Sequence, residues 1–190
     1  MDLLIINNAG FIKANNNYYI TKTTGKFIAD YKNISNNKIS LLQFIEDGDI
    51  KKGINDYQVD EDIQIKTVLF FKGFKKLWSY LLATLQIIKT IHKTKNFVYI
   101  FYPGHFSLIV AFACIWFKKP FGLYVRGEYN SILSKPIFRH ARFINTVGIV
   151  FQRDIKKINN NCYLNRPMVQ FNFFEKPDIA HIEKANEILF

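Results

Sequence analysis

The chain has 190 residues, a formal net charge of +11, 49% hydrophobic and 16% aromatic content. That size and composition fit one globular domain with a short appendage and exclude a disordered or collagen-like chain. Two cysteines, with no CxxC pair and no histidine at ligand spacing, exclude a disulfide scaffold and a zinc site and suit reduced thiols in a cytosolic protein.

The N-terminus, "MDLLIINNAG", carries neither a basic leader nor a cleavage pattern, so no signal peptide is expected. Its "DLLIIN" (2–7) reads as a short strand and "NNAG" as a turn. "TKTTGKFIADYKN" (21–33) predicts a helix with threonines as N-cap candidates, and "KISLLQFI" (38–45) a second strand. The acidic stretch 46–62 reads as a loop, and "IQIKTVLF" (63–70) as a third strand.

Residues 73–92 predict the clearest helix. Phe74, Leu77, Trp78, Leu81, Leu82, Leu85, Ile88 and Ile91 recur at three- and four-residue steps and form one apolar stripe, expected to pack inward. "NFVYIFY" (96–102) is a fourth strand, and "PGHFSLIVAFACIWFKK" opens on Pro-Gly and continues as a buried helix. Its apolar run of a dozen residues (106–117) is too short to cross a bilayer. "PFGLYVRG" (120–127) is a fifth strand, "LSKPIFRHA" a short helix or turn, "RFINTVG" (142–148) a sixth strand, and "IVFQRDIKKINN" a final helix.

Alternating helices and continuously apolar strands predict an α/β fold: a Rossmann-like, doubly wound, mainly parallel sheet flanked by helices. In such a sheet the carboxyl ends of the strands share one edge, where ligands bind. Three polar, glycine-bearing loops then meet there: "NNAGFIK" (7–13), "PGH" (103–105) and Arg126-Gly127-Glu128.

The first of these has one glycine and no GxGxxG or Walker pattern, so a tight mononucleotide site is not expected. Asn8, Gly10 and Lys13 offer hydrogen bonds to a sugar or phosphate; the alternative is a plain turn that needs its glycine. Gly104 and His105 open a helix, so their amides can face the crevice at its positive end; His105 is a proton carrier, a polar contact or simply part of the helix start. Arg126 presents a planar fork of five donors suited to carboxylate or phosphate. Glu128 either accepts from sugar hydroxyls or pairs with Arg126.

Charge is unevenly spread. From Ile63 to Gly127 there is no Asp or Glu and there are ten Lys or Arg, while seven of the fifteen acids fall in 46–62. The asymmetry favours an anionic partner, namely nucleic acid, a phosphate-bearing substrate or anionic lipid; the plainer alternative is solubility.

The order "LLIINNAGF", "KISLLQF", "FVYIFYPGHFS", "KPFGLYVRGEY" and "ARFINTVG" resembles the N-terminal domain of GT-B-fold glycosyltransferases, in the large retaining group that includes bacterial polysaccharide and lipopolysaccharide enzymes. "KPFGLYVRGE" is its most specific part; many of these enzymes place His where Arg126 stands. The resemblance implies an acceptor-binding domain over 1–174, with 175–190 a linker and the start of a missing C-terminal domain that binds the nucleotide-sugar. It implies an acceptor set of Asn8, Gly10, Phe11, Lys13, Gly104, His105, Arg126, Gly127 and Glu128, with His105, Arg126 and Glu128 the catalytic candidates.

The resemblance further implies sugar transfer with retention and without a metal, no cofactor in this domain, and no turnover by this half alone. Its acceptor would be a saccharide or lipid-linked molecule, met in the cytoplasm or peripherally at the inner face of an anionic membrane. The alternative is a basic nucleic-acid-binding or interaction domain, which has no recognised motif here.

Overall fold

Strands that are apolar on both sides need cover on both sides. A computed structural model describes residues 2–7, 10–14, 17–34, 38–46, 50, 55–68 and 76–165. In chain order the elements are β1 (Leu3–Ile6), β2 (Phe11–Ala14), β3 (Asn17–Ile20), α1 (Lys22–Ile34), β4 (Ile39–Glu46), β5 (Tyr57–Gln58), β6 (Gln64–Val68), α2 (Lys76–Lys93), β7 (Phe97–Tyr102), α3 (His105–Trp116), β8 (Phe121–Val125), α4 (Ser131–His140), β9 (Phe143–Thr146), α5 (Ile149–Lys156) and β10 (Cys162–Leu164).

Seven strands pair in parallel in the order β6-β4-β1-β7-β8-β9-β10. Counted along the chain, these are the third, second and first strands, then the fourth to seventh. That is the order of doubly wound nucleotide-binding sheets, and it reverses between β1 and β7. Right-handed crossovers send the two halves to opposite faces. Helices α2 to α5 cover one face, over Leu4, Ile6, Val98, Ile100 and Leu123. On the other, Ile28 of α1 and Ile20 of β3 lie over Leu3, Ile5, Tyr99, Phe101 and Tyr124. Every residue of β7 and β8 is consequently buried. Gly122 permits the close approach of β9: a Cβ there would lie 2.6 Å from the Phe143 ring.

Four strands have no counterpart in the sequence reading. β2 and β3 form an antiparallel hairpin (Ile12 opposite Tyr19) that continues the sheet from the end of β4 through the pair Phe11–Ile45. The stretch read as a loop, 46–62, contains β5, which pairs Tyr57 with Ile20. β10 sets Cys162 beside Ile144. Each is two to four residues long, too short for a period of two to stand out. The short helix or turn at 133–141 is a helix from Ser131, capped by Asn130, whose side chain accepts from the amides of Ile132 and Leu133.

The inward stripe expected on α2 is reversed. Trp78, Leu81, Leu82 and Leu85 are exposed by 69%, 51%, 50% and 53%, while Ser79, Ala83, Ile87 and Ile91 are buried. The buried line advances in steps of four, one side of the helix. Small Ser79 and Ala83 let α2 lie close to its neighbours, and the larger side chains face out. Ile91 keeps its expected place, Ile88 is half-buried, and Phe74 lies outside the described residues.

Both cysteines are free and buried. Burial pushes the Cys114 thiol up to about 12, with nearby Lys119 opposing, and raises that of Cys162. At pH 8 only ~10⁻⁴ of Cys114 is then thiolate, the reactive form. A disulfide reagent is expected to find no fast thiol in the folded chain and two after denaturation. One fast equivalent under native conditions would show that the packing around one of them opens.

Candidate functional site

The carboxyl ends of β1, β7 and β8 carry Asn7, Pro103-Gly104 and Arg126-Gly127. Ile6 pairs with Ile100, so one step further sets Asn7 beside Phe101; Phe101 in turn pairs with Tyr124. Arg126 follows Tyr124 by two residues and projects from the same side of its strand. Its guanidinium turns back across the sheet edge, 5.4 Å over the Phe101 ring, and donates to Asn7 Oδ1 at 3.2 Å. Asn7 is buried, and its Nδ2 donates to Thr24 Oγ1 at 2.9 Å, which also accepts from Thr21 Oγ1. A polar chain thus runs from the start of α1 to Arg126 across the topological switch point.

The other two loops abut. A Cβ on Gly127 would lie 3.9 Å from Pro103 Cδ, and the Arg126 amide donates to the Tyr102 carbonyl at 3.1 Å. His105 is exposed at the first position of α3, after Gly104. The Gly104 carbonyl accepts from Ser107 Oγ and the Leu108 amide, so the first turn of α3 is well formed and its leading N–H groups point out of the sheet edge. Glu128 is exposed beyond Gly127, and among the described residues it forms no ion pair with Arg126. The internal salt bridge left open by the sequence is not formed.

Not every candidate reaches this rim. Phe11 is fully buried, edge-on to Tyr18 at 5.4 Å, and offers no surface to an acceptor. It lies inside the sheet because β2 continues the ladder of β4. Gly10 is buried just before it. Lys13 is exposed on the hairpin with its ammonium 5.7 Å from the Tyr18 ring, and no bond joins it to His105 or Arg126. Asn8 lies outside the described residues.

Asn7 and Phe101, which hold the Arg126 guanidinium, are site residues that sequence reasoning passed over, and Gln43 is buried behind Asn7. Gln43 is 3% exposed, neither of its amide atoms has a hydrogen-bond partner, and it shares a cavity of about 10 Å³ with Asn7, Phe44 and Phe106. Leaving such an amide unpaired would cost roughly 1–3 kcal/mol, and a cavity of this size has room for about one bridging water. For Asn7 and Phe101 the signal was positional: each is within one residue of the end of a strand that flanks the reversal in strand order.

No family profile and no curated protein matches the sequence. Solved structures match its shape. UDP-GlcNAc 2-epimerase from Methanocaldococcus jannaschii superposes with a TM-score of 0.53 at 10% identity, over 86% of this chain and 45% of its own. MurG from Acinetobacter baumannii aligns with a TM-score of 0.48 at 12% identity, over 77% of this chain and 41% of its own. The chain therefore spans less than half the length of either protein. At such identity the likeness concerns fold: a Rossmann-like unit, one half of a GT-B architecture.

A larger hollow lies elsewhere. A basin of about 1000 Å³ opens at the amino edge of the sheet, ringed by Asp2, Lys32, Lys38, Glu61, Asp62 and Lys95. Lys32 there pairs with Asp60 and Asp62 at 3.1 and 2.7 Å. Mixed charge at the ends where strands begin gives no convergent set of donors, so size does not make it the site.

Proposed function

We propose that the chain is the acceptor-binding half of a glycosyltransferase, which receives a sugar from a nucleotide-sugar held by a second domain. The acceptor is a saccharide or lipid-linked molecule, the transfer follows the retaining course, and this half has no turnover alone. The supporting observation is the Arg126–Asn7 bridge over the switch point. It holds a fixed cation where ligands of doubly wound sheets sit, beside the N-terminus of α3. The same shape serves an epimerase, so the reading rests on the rim and the sequence resemblance, not on the fold.

Each rim group has a chemical task in this reading. Arg126 binds a phosphate or carboxylate of the acceptor through its remaining donors, and the α3 N-terminus adds partial positive charge. His105 and Glu128 hydrogen-bond sugar hydroxyls and orient the one that attacks. The test is amide NMR of the 190-residue chain titrated with polyprenyl-phosphate sugars and short oligosaccharides. Shifts are expected at Asn7, 103–106 and 126–129. Absence of shifts at Asn7, 103–106 and 126–129 would overturn the reading, and a steeply salt-dependent binding of DNA in a separate titration would assign the basic charge to nucleic acid.

A further inference from the structure

We propose that the outer face of α2 and α3 is a docking surface for an anionic lipid bilayer, on which the protein lies without crossing it. The outward side of α2 carries Trp78, Leu81, Leu82 and Leu85, each at least half exposed, and α3 adds Phe112 at 37% and Trp116 at 82%. Ile88 links the two sets: it lines, with Leu108 and Phe112, an apolar groove of about 420 Å³ that reaches Trp116. At its other end the surface meets the ligand edge, where Tyr80 stacks on Phe106 at 5.5 Å, next to His105. Contiguous apolar surface of this kind marks an interaction site.

Charge selects the occupant. Neither α2 nor α3 contains an Asp or Glu. Lys89 and Lys93 are exposed further along α2, and Lys118 is exposed just beyond α3. Lys118 sits at φ 52 in the helix-ending turn, where its amide and that of Lys119 donate to the carbonyls of Ile115 and Cys114 at 3.1 and 2.8 Å. An apolar centre with cations at its margin and no carboxylate is the pattern of helices that lie in a lipid interface, where tryptophan is also favoured. A second copy is the poorer occupant. A two-fold contact through this face would set its lysines against each other, whereas anionic headgroups neutralise them. Among the described residues no helix is long and apolar enough to cross a membrane, so the contact is peripheral.

The surface carries its own reporter, because Trp78 and Trp116 are the two tryptophans of the chain. The 190-residue chain is mixed with phosphatidylcholine vesicles, with and without phosphatidylglycerol, and followed by flotation and tryptophan emission. Emission is expected to shift to the blue and the protein to float with the anionic vesicles, less so as salt rises from ~0.1 to ~0.5 M. The double variant L82S/L85S, altered at two exposed positions, is expected to keep its circular dichroism and melting temperature and to lose about tenfold in vesicle affinity. Absence of flotation, or equal binding by the variant, overturns the proposal. So does a concentration-dependent blue shift without vesicles accompanied by sedimentation as a dimer, which assigns the face to a second copy. The rim is not read by this experiment, so its failure leaves the acceptor reading standing.

Discussion

Replacing Phe101 with alanine is expected to cost about 3–5 kcal/mol of folding free energy. The residue sits in β7, at the middle of the sheet, and is completely buried. Its ring meets Phe27 at 5.5 Å, Tyr99 at 5.8 Å and Tyr124 at 5.3 Å, so truncation removes buried area and opens a gap among rings that cannot collapse into it. Total stabilities of about 5–15 kcal/mol make this a large fraction. Urea denaturation should show a lower midpoint at unchanged slope. Phe101→Leu, which keeps most of the volume, should cost markedly less. The ring also supports the Arg126 guanidinium, so the alanine variant should shift the Arg126 side-chain NMR signal. A loss below about 1 kcal/mol, against the expected range, would mean that this face is not packed around β7 as described.

Much of the frame was legible because its signals are local. The runs "FVYIFY" and "FGLYV" are apolar without alternation, which only a doubly covered strand tolerates, and both became central parallel strands. The loops after β1, β7 and β8 were legible as one rim because parallel topology puts them there whatever the side chains. What the sequence hid depended on three dimensions. Stripe counting on α2 identified one apolar surface but not its direction, since Ser79 and Ala83 pack inward while Trp78 and Leu82 do not. Hydrophobicity alone predicts the opposite; close helix approach decided it. Phe11 reads as a loop aromatic available to a ligand, and becomes interior only because β2 pairs with a single end of β4. Asn7 looked like half of a turn signal, and its partners Thr24 and Arg126 are 17 and 119 residues away.

The outward face of α2 and the rim around Asn7 and Arg126 bear on each other. The apolar face of α2 and α3 begins where Tyr80 meets Phe106, and His105 of the rim is the next residue. A molecule with a lipid tail and a phosphorylated, hydroxyl-bearing head would match that sequence of surfaces, with the tail along the helices and the head toward Arg126. The fold supplies the edge, and particular residues on it supply the chemistry.

Arg126 therefore carries the sharpest functional expectation. Its side chain is exposed but donates to the buried Asn7 Oδ1, so Arg126→Ala should cost about 1–2 kcal/mol of stability and leave the chain folded. Affinity for a phosphate-bearing acceptor should nevertheless fall about 10- to 150-fold, the equivalent of roughly 1.5–3 kcal/mol for hydrogen bonds to a charged group. Arg126→Lys keeps the charge and loses the planar fork, so it should recover only part of that loss. Asn7→Ala removes the bond that aims the guanidinium and should weaken binding by a smaller factor, along with some stability because Asn7 also holds Thr24. If Asn7 works through Arg126, adding Asn7→Ala to the Arg126→Ala chain should cost almost no further affinity, and the double-mutant cycle will show coupling. Calorimetric titration of the four chains measures this directly. Full additivity would separate the two residues into independent contacts, and unchanged affinity in Arg126→Ala would move acceptor recognition away from this rim.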